Sequence, residues 1–133
     1  MKPGEPVFLS RAEVEHLHAE SLRRFGGSTG VRDDGLVESA LGSARNAWWY
    51  GGGDLCDVAA AYAFHIAQAQ AYLDGNKRTA VAAALVFLRR NGLKTGTDDG
   101  RIYHAMIAIA ERRMDKVRLA ALLRELAGKT ETA

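Results

Sequence analysis

Cysteine is almost missing from this sequence. Cys56 is the only one in 133 residues, so no disulfide can form within the chain, and a reducing compartment fits best. No run reaches the ~18 apolar residues of a membrane span, and the N-terminus has no apolar core of signal-peptide length. These absences predict a cytoplasmic protein that has no membrane partner.

A strong excess of one charge is missing too. The formal net charge is +2 and the basic residues are scattered, which argues against a nucleic-acid partner. Both prolines lie within residues 1–9, which should form an extended lead-in. No convincing strand pattern, repeat or linker is present. Residues 1–133 are therefore predicted to form a single all-α domain, compact and six-helical.

Apolar spacing and capping residues place the six helices. Ser10 and Glu13 form a capping box for the first helix, which Gly26 and Gly27 end, and Asp33 and Asp34 are candidate caps for the second. The remaining four are predicted over about 55–71, 77–90, 99–112 and 116–127, the third being central because it is apolar nearly all round. Gly128 should end the sixth, leaving a disordered tail over 129–133.

Two groups of residues between or on these helices need separate interpretation. Residues 46–53, NAWWYGGG, are expected to form a loop in which at least one aromatic ring is exposed or packs over a polar turn. His16 and His18 are interpreted as surface or boundary residues. His65 is interpreted as a hydrogen-bonded core histidine.

The most informative stretch is the polar turn over residues 70–80, between the third and fourth helices. It contains Asp74, Gly75, Asn76, Lys77 and Arg78 and opens directly into the fourth helix. A helix N-terminus presents unpaired backbone N–H groups and favours anions, whereas cations there oppose the helix dipole unless an anionic ligand is bound. The pattern indicates nucleotide phosphate binding, with the alternative that Asp74 merely caps the helix and the two cations are solvated.

A specific resemblance begins at these residues. LDGNKRTA followed by AAALVFLRRNG is similar to the Fic/Doc (Fido) superfamily, the Doc branch in particular, whose motif runs HxFx(D/E)GNxR. The similarity continues through FGGSTGVRDDGLVESAL at residues 25–41 and covers nearly the whole chain. It implies a compact helical bundle with a central helix hairpin around the motif turn.

The chain departs from the family motif at the catalytic histidine, whose position is Gln70. His65 cannot take this place, because it lies farther upstream on the helix, rotated roughly 140° from position 70. A neutral amide does not accept a proton near pH 7 as imidazole does. Gln70 is open to three accounts: a natural pseudoenzyme, an enzyme with altered chemistry, or a change introduced to make a toxic protein tolerable.

The resemblance implies a transferase that moves phosphate or AMP from ATP to a protein hydroxyl, as a Doc-type toxin does to a threonine of elongation factor Tu. In that mapping Asp74 positions Mg²⁺ or the target hydroxyl, and Gly75 and Asn76 cradle phosphates through backbone N–H groups. Lys77 and Arg78 neutralise charge in the transition state, and Gln70 occupies the place of the general base. Two accounts of residues 46–53 stay open: a loop that Trp48 or Trp49 attaches to the core, and, as the resemblance implies, a flap that aligns the target segment.

Control is expected to come from another chain. Many Fic proteins carry an inhibitory helix with the pattern (S/T)xxxE(G/N), and residues 1–133 do not contain it. A small antitoxin acting in trans, with a disordered segment that folds over Arg78, is the expected partner. The alternative function is a non-catalytic module that binds a nucleotide or a protein without turnover, for which Gln70 is the main feature.

Overall fold

The computed structural model describes residues 4–96 and 100–131, with the backbone alone for 129–131. Within these residues the chain is all-helical, and its only strand-like feature is an isolated antiparallel bridge between Val31 and Tyr72. The helices are α1 (Arg11–Phe25), α2 (Asp34–Trp49), α3 (Leu55–Ala69), α4 (Asn76–Arg90), α5 (Arg101–Ala110) and α6 (Lys116–Glu131). The predicted six-helix, all-α fold is confirmed.

Helix α3 is the centre of the bundle, as its sequence predicted. It packs against α2, α4, α5 and α6, and every residue from position 58 to position 63 is fully buried. Most of these are alanines, which let the neighbouring helices approach closely. Helices α3 and α4 pack along each other, so the turn that joins them is held at one end of the core.

Side-chain caps fix the starts of the first three helices. Ser10 and Glu13 form the predicted capping box of α1, and Asp33 accepts the Leu36 N–H at 3.2 Å to cap α2. Asp54 and Asp57 form a second capping box at the start of α3. Each cap satisfies a backbone donor that the helix itself leaves unpaired, which contributes about 0.5–2 kcal/mol.

The prediction of a loop over residues 46–53 is wrong for its first half, because α2 continues to Trp49. Consecutive side chains at the end of a helix point in different directions, so Trp48, Trp49 and Tyr50 do not lie on one face of α2. Trp48 packs against the core, Trp49 contacts Phe8 edge-on at 5.7 Å, and Tyr50 is 81% exposed. The exposed ring that the sequence predicted is therefore present.

Several helix boundaries also differ from the predictions. Helix α3 ends at Ala69, before the motif turn. Helix α5 spans Arg101–Ala110, so it ends two residues before the expected end of 99–112; residue 99 lies outside the described residues. Helix α6 passes through Gly128 to Glu131, so the expected tail is helical as far as residue 131; residues 132–133 lie outside the described residues. A glycine inside a helix costs only about 1 kcal/mol relative to alanine and need not end it.

The lead-in is attached to the bundle. From residue 5 to residue 10 it contains no helix, Leu9 is fully buried, and the Leu9 N–H donates to the Tyr62 hydroxyl at 2.9 Å. Val7 exchanges two hydrogen bonds with the Asn91 side chain. In the part of the chain that the structure describes, no helix has both the length and the apolar character that crossing a bilayer requires.

Candidate functional site

A cleft of about 440 Å³ lies where the end of α1 meets the turn between α3 and α4. The motif turn forms its floor, and Phe25 of α1 and Tyr103 of α5 stand at its sides. All the candidate residues from the sequence line it: Gln70, Asp74, Gly75, Asn76, Lys77 and Arg78. The structure thus gathers all six candidate site residues in one cleft.

Two left-handed residues frame the turn. Gln70 follows the last turn of α3 with φ 51° and ψ 50°, and Gly75 precedes α4 with φ 82°. Gly75 is the N-cap of α4, so no side chain caps this helix. The alternative that Asp74 caps α4 is therefore wrong. The first N–H groups of α4 remain available to an anion, at the positive end of the helix dipole.

The Asn76 side chain holds the turn together. Its Oδ1 accepts the Tyr72 N–H and its Nδ2 donates to the Tyr72 carbonyl, both at 3.0 Å. These bonds satisfy both backbone polar groups of a residue that is only 1% exposed. The amide is thus committed to the turn, and what Asn76 offers to a ligand is its backbone N–H.

A second segment, residues 28–33, runs alongside the motif turn and is hydrogen-bonded to it. The Ser28 N–H donates to Asp74 Oδ2 at 2.7 Å, and the Leu73 N–H donates to the Gly30 carbonyl at 3.1 Å. Gly27 allows this close approach, since a Cβ there would lie 3.0 Å from the Asp74 Cβ. Residues 46–53 line no part of the cleft, so their expected role as a target-aligning flap finds no support.

Arg78 is held between two aromatic rings. The guanidinium carbon lies 4.2 Å from the centroid of the Phe25 ring and 4.0 Å from that of Tyr103. Within the described residues neither Arg78 nor Lys77 forms an ion pair. Cation–π contacts orient the guanidinium without neutralising it. Both positive charges therefore remain available to an anionic ligand at the helix start.

No histidine lies in the cleft lining. His18, predicted as a surface or boundary residue, is instead 5% exposed, because Tyr72 and the motif turn cover it. His65 is half-buried rather than part of the core, and its Nε2 lies 3.2 Å from the Lys116 Nζ, so the expected hydrogen bond is present but the expected core position is not. Neither can replace the missing base at position 70.

The environment of His65 leads to a pH prediction. Burial, and secondarily the charge of Lys116, lowers the pKa of His65 below its usual 6.5. As the pH falls, His65 therefore takes up its proton at a higher pH in the unfolded state than in the folded state. The residue contributes stability above pH 6.5, and this contribution is lost as the pH falls. Urea unfolding at pH 7.5, 6.5 and 5.5 should show a shallower loss for His65→Gln than for the unmodified chain. Equal slopes in the two proteins would contradict the assignment.

Residues outside the motif complete the site, and most of them could not be identified from the sequence. Ser21 is 7% exposed at the cleft wall, and its Oγ has no hydrogen-bond partner among the described residues. Phe25 and Tyr103 lie far apart in sequence and meet only around Arg78. A buried hydroxyl without a partner is uncommon in native structures, and this Oγ is covered by protein atoms rather than open to the cleft.

The fold and the cleft together define a helical domain whose cleft contains a helix N-terminus and the side chains of Lys77 and Arg78, neither of which forms an ion pair among the described residues. The Fic/DOC family model matches residues 8–88, from the end of the lead-in through most of α4. This span contains α1 to α3, the motif turn and its cations. The chain belongs to the Fic/DOC family.

Two curated relatives match nearly the whole chain. Protein kinase doc of Escherichia phage P1 is 33% identical over 124 residues, which cover 92% of this chain and 98% of that protein. Toxin Doc of Mycolicibacterium smegmatis is 38% identical over 130 residues, which cover 94% and 97% respectively. The similarity is therefore to Doc proteins in particular and extends over their full domain.

Proposed function

We propose that this chain is a Doc-like toxin that binds ATP in the cleft and is built to transfer phosphate, or AMP, to a hydroxyl of a target protein. The observation that carries the proposal is the uncapped start of α4, with Lys77 and Arg78 unpaired beside it. The names of the relatives, a protein kinase and a toxin, support the same activity. Elongation factor Tu is the target that the family resemblance implies.

The residues of the cleft fit a polyphosphate with its metal ion. The N–H groups at the start of α4 and the two cations supply donors to phosphate oxygens. Asp74 uses Oδ2 to accept the Ser28 N–H, and its other oxygen is left for Mg²⁺. Mg²⁺ beside a nucleotide is commonly held by one or two carboxylates together with phosphate oxygens and water.

Transfer requires a proton acceptor, and here Gln70 limits the reaction. ATP supplies the phosphoryl group that joins the hydroxyl oxygen while ADP leaves and the hydroxyl proton is released; AMP transfer would release pyrophosphate instead. Gln70 can orient the hydroxyl through its amide oxygen but cannot take the proton. Because positioning and electrostatics dominate phosphoryl transfer, we propose reduced or absent activity in an otherwise assembled site.

The second candidate function is a non-catalytic module that binds a nucleotide or a protein partner without turnover. Gln70 favours this function, since it occupies the base position and no histidine lines the cleft among the described residues. The two candidates share the phosphate site and differ in whether any group is transferred. Incubation with labelled ATP and a cell lysate separates them, because only a transferase labels a protein.

The phosphate site predicts a loss of nucleotide affinity when either cation is removed. Arg78→Ala should weaken ATP binding about 10- to 100-fold, because each lost charge-assisted hydrogen bond to phosphate is worth about 1.5–3 kcal/mol. Lys77→Ala should act in the same direction. Both should fold normally, since neither side chain is buried. Calorimetry with ATP and Mg²⁺ measures the affinities.

The matched control for these variants is Arg89→Ala, an exposed arginine at the far end of the same helix. It removes one positive charge from α4 without touching the cleft, so its ATP affinity should stay unchanged. Affinities that remain equal in the Lys77, Arg78 and Arg89 variants would exclude the phosphate site.

Control by an antitoxin is proposed at an apolar groove that adjoins the cleft. The groove has a volume of about 400 Å³, is formed mainly by α1 and α4, and includes Val81, Ala82 and Leu85. It shares Phe25, Arg78 and Tyr103 with the cleft. A disordered segment that folds along the groove would therefore lie against the proposed phosphate-binding arginine.

This proposal predicts that a charge placed in the groove breaks the antitoxin complex. Ala82→Asp puts a carboxylate into the groove without removing a core side chain, and Ala121→Asp makes the same change on an exposed position of α6. A pull-down from the native host should recover a small partner with the unmodified chain and the Ala121 variant only. That partner should also reverse any growth arrest caused by the domain. Failure to recover a partner, or recovery with Ala82→Asp, would contradict docking in this groove.

A further inference from the structure

His18 lies beneath the motif turn and makes one close polar contact with it. Its ring is 5% exposed, and its Nε2 lies 2.7 Å from the carbonyl oxygen of Asp74. A carbonyl oxygen only accepts hydrogen bonds, so Nε2 carries the proton and donates it. His18 therefore fixes the direction of the Asp74 carbonyl from the core side of the turn.

The direction of that carbonyl determines where the next N–H points. In a planar trans peptide the C=O and the N–H point in opposite directions, so the Gly75 N–H is directed away from His18. Gly75 lines the cleft, and its N–H has no acceptor among the described residues. The bond from His18 thus turns one more backbone donor toward the anion site, next to the N–H groups of α4.

Without a hydrogen bond to its carbonyl, the peptide between residues 74 and 75 would not be held in one orientation. Gly75 has φ 82°, and glycine adopts positive and negative φ about equally well, so the peptide between residues 74 and 75 can rotate at low cost. The orientation in which the Gly75 N–H faces the cleft therefore requires a hydrogen-bond donor that holds the Asp74 carbonyl on the opposite side. Among the described residues, His18 alone makes a hydrogen bond to the Asp74 carbonyl.

The His18 ring is itself held in place by its surroundings. It stacks on the Tyr72 ring with centroids 3.8 Å apart and planes 15° from parallel. The Tyr72 hydroxyl donates to Glu15 Oε1 at 3.2 Å, and Glu15 is paired with Arg11 at 2.6 Å. This chain of contacts runs from the surface of α1 to the turn and leaves the imidazole little freedom.

We propose that His18 is a positioning residue that holds the Gly75 N–H toward the bound phosphate. The inference rests on the proposed function, because it assigns one more donor to the same ATP site. His18 makes no contact with the ligand itself and acts through the peptide between Asp74 and Gly75. Its effect is therefore on affinity and on the Gly75 amide.

Two variants and one spectroscopic measurement test the proposal. His18→Phe keeps an aromatic ring for Tyr72 but removes the donor, and it should weaken the binding of ATP with Mg²⁺ about tenfold in calorimetry. His18→Gln places an amide nitrogen near the position of Nε2 and should restore most of the affinity. In a titration of the ¹⁵N-labelled unmodified chain with ATP, the Gly75 amide signal should shift strongly, and it should shift little in His18→Phe.

Each outcome bears on the inference separately from the proposed function. If the unmodified chain binds ATP and Arg78→Ala weakens it, but His18→Phe binds as well as the original, the positioning role is excluded and the phosphate site stands. A Gly75 signal that does not respond to ATP in the unmodified chain excludes it too, whether or not the variants fold. If the unmodified chain does not bind ATP at all, both the proposed function and this inference fail.

Discussion

Gln70→His should convert the domain into an active transferase. We expect the rate of transfer from ATP to a protein hydroxyl to rise roughly 10²- to 10⁴-fold at pH 7–8, which is the usual contribution of a positioned general base. The other groups that the proposed transfer would use, the helix start, Asp74 and the two cations, already meet in the cleft. Only a proton acceptor is missing, and imidazole supplies one near neutral pH.

The backbone at position 70 accommodates this change. Gln70 is exposed to the cleft and has a left-handed conformation with φ 51°. Histidine is among the non-glycine residues enriched in that conformation, whereas a β-branched residue would be strained there. The substitution should therefore leave stability nearly unchanged and place the imidazole at the mouth of the site.

Labelled ATP and a cell lysate provide the measurement, with growth arrest on expression as a second readout. Gln70→Asn, which also lacks a base and also tolerates a left-handed backbone, is the matched control and should remain as inactive as Gln70. The double variant that carries Gln70→His with Arg78→Ala should lose the gained activity. A folded, ATP-binding His variant that labels no protein and does not slow growth would favour the non-catalytic module.

Asn76→Ala should destabilise the domain by about 2–4 kcal/mol. The substitution removes both hydrogen bonds to the Tyr72 backbone and leaves a buried N–H and a buried C=O unpaired, at about 1–3 kcal/mol each. Since the same turn forms the floor of the cleft, ATP affinity should fall as well. Urea unfolding followed by circular dichroism measures the change in the free energy of unfolding.

Asn76→Asp separates the two hydrogen bonds. It keeps the acceptor for the Tyr72 N–H and loses the donor to the Tyr72 carbonyl, while its charge is favourable at a helix N-terminus. We therefore expect a stability between that of the unmodified chain and that of Asn76→Ala. A loss below about 1 kcal/mol for the alanine variant would contradict the clamp role, because it would mean that water satisfies both groups at little cost.

The helices were largely predictable because their signals are local. Ser10 and Glu13 contact each other within one helical turn, so the capping box could be identified from spacing alone. Residues 46–49 were wrongly assigned to a loop because three consecutive aromatics cannot all be buried on one helical face; the helix is possible because its end leaves Tyr50 exposed. In the structure Trp49 contacts Phe8 of the lead-in, a residue far away in sequence that local patterns do not reveal.

The candidate site was predictable to the extent that it is contiguous in sequence. Residues 70–78 form one turn and the first turn of α4, so their common location followed from the motif. The geometry within the turn did not follow. Asp74 looked like a helix cap and instead accepts the Ser28 N–H, and the Asn76 side chain is committed to Tyr72. Both outcomes depend on which groups the fold brings within hydrogen-bond distance.

The sequence by itself determined the all-α class, the central position of α3, the polar turn at the start of α4 and the loss of a base at position 70. These depend on apolar periodicity, local capping and the identity of one side chain, all of which act over a few residues. The tertiary structure alone decided that Phe25 and Tyr103 enclose Arg78 and that His18 holds the Asp74 carbonyl. Such contacts join α1, α4 and α5, and their geometry depends on how packed helices cross, which no short stretch of sequence encodes.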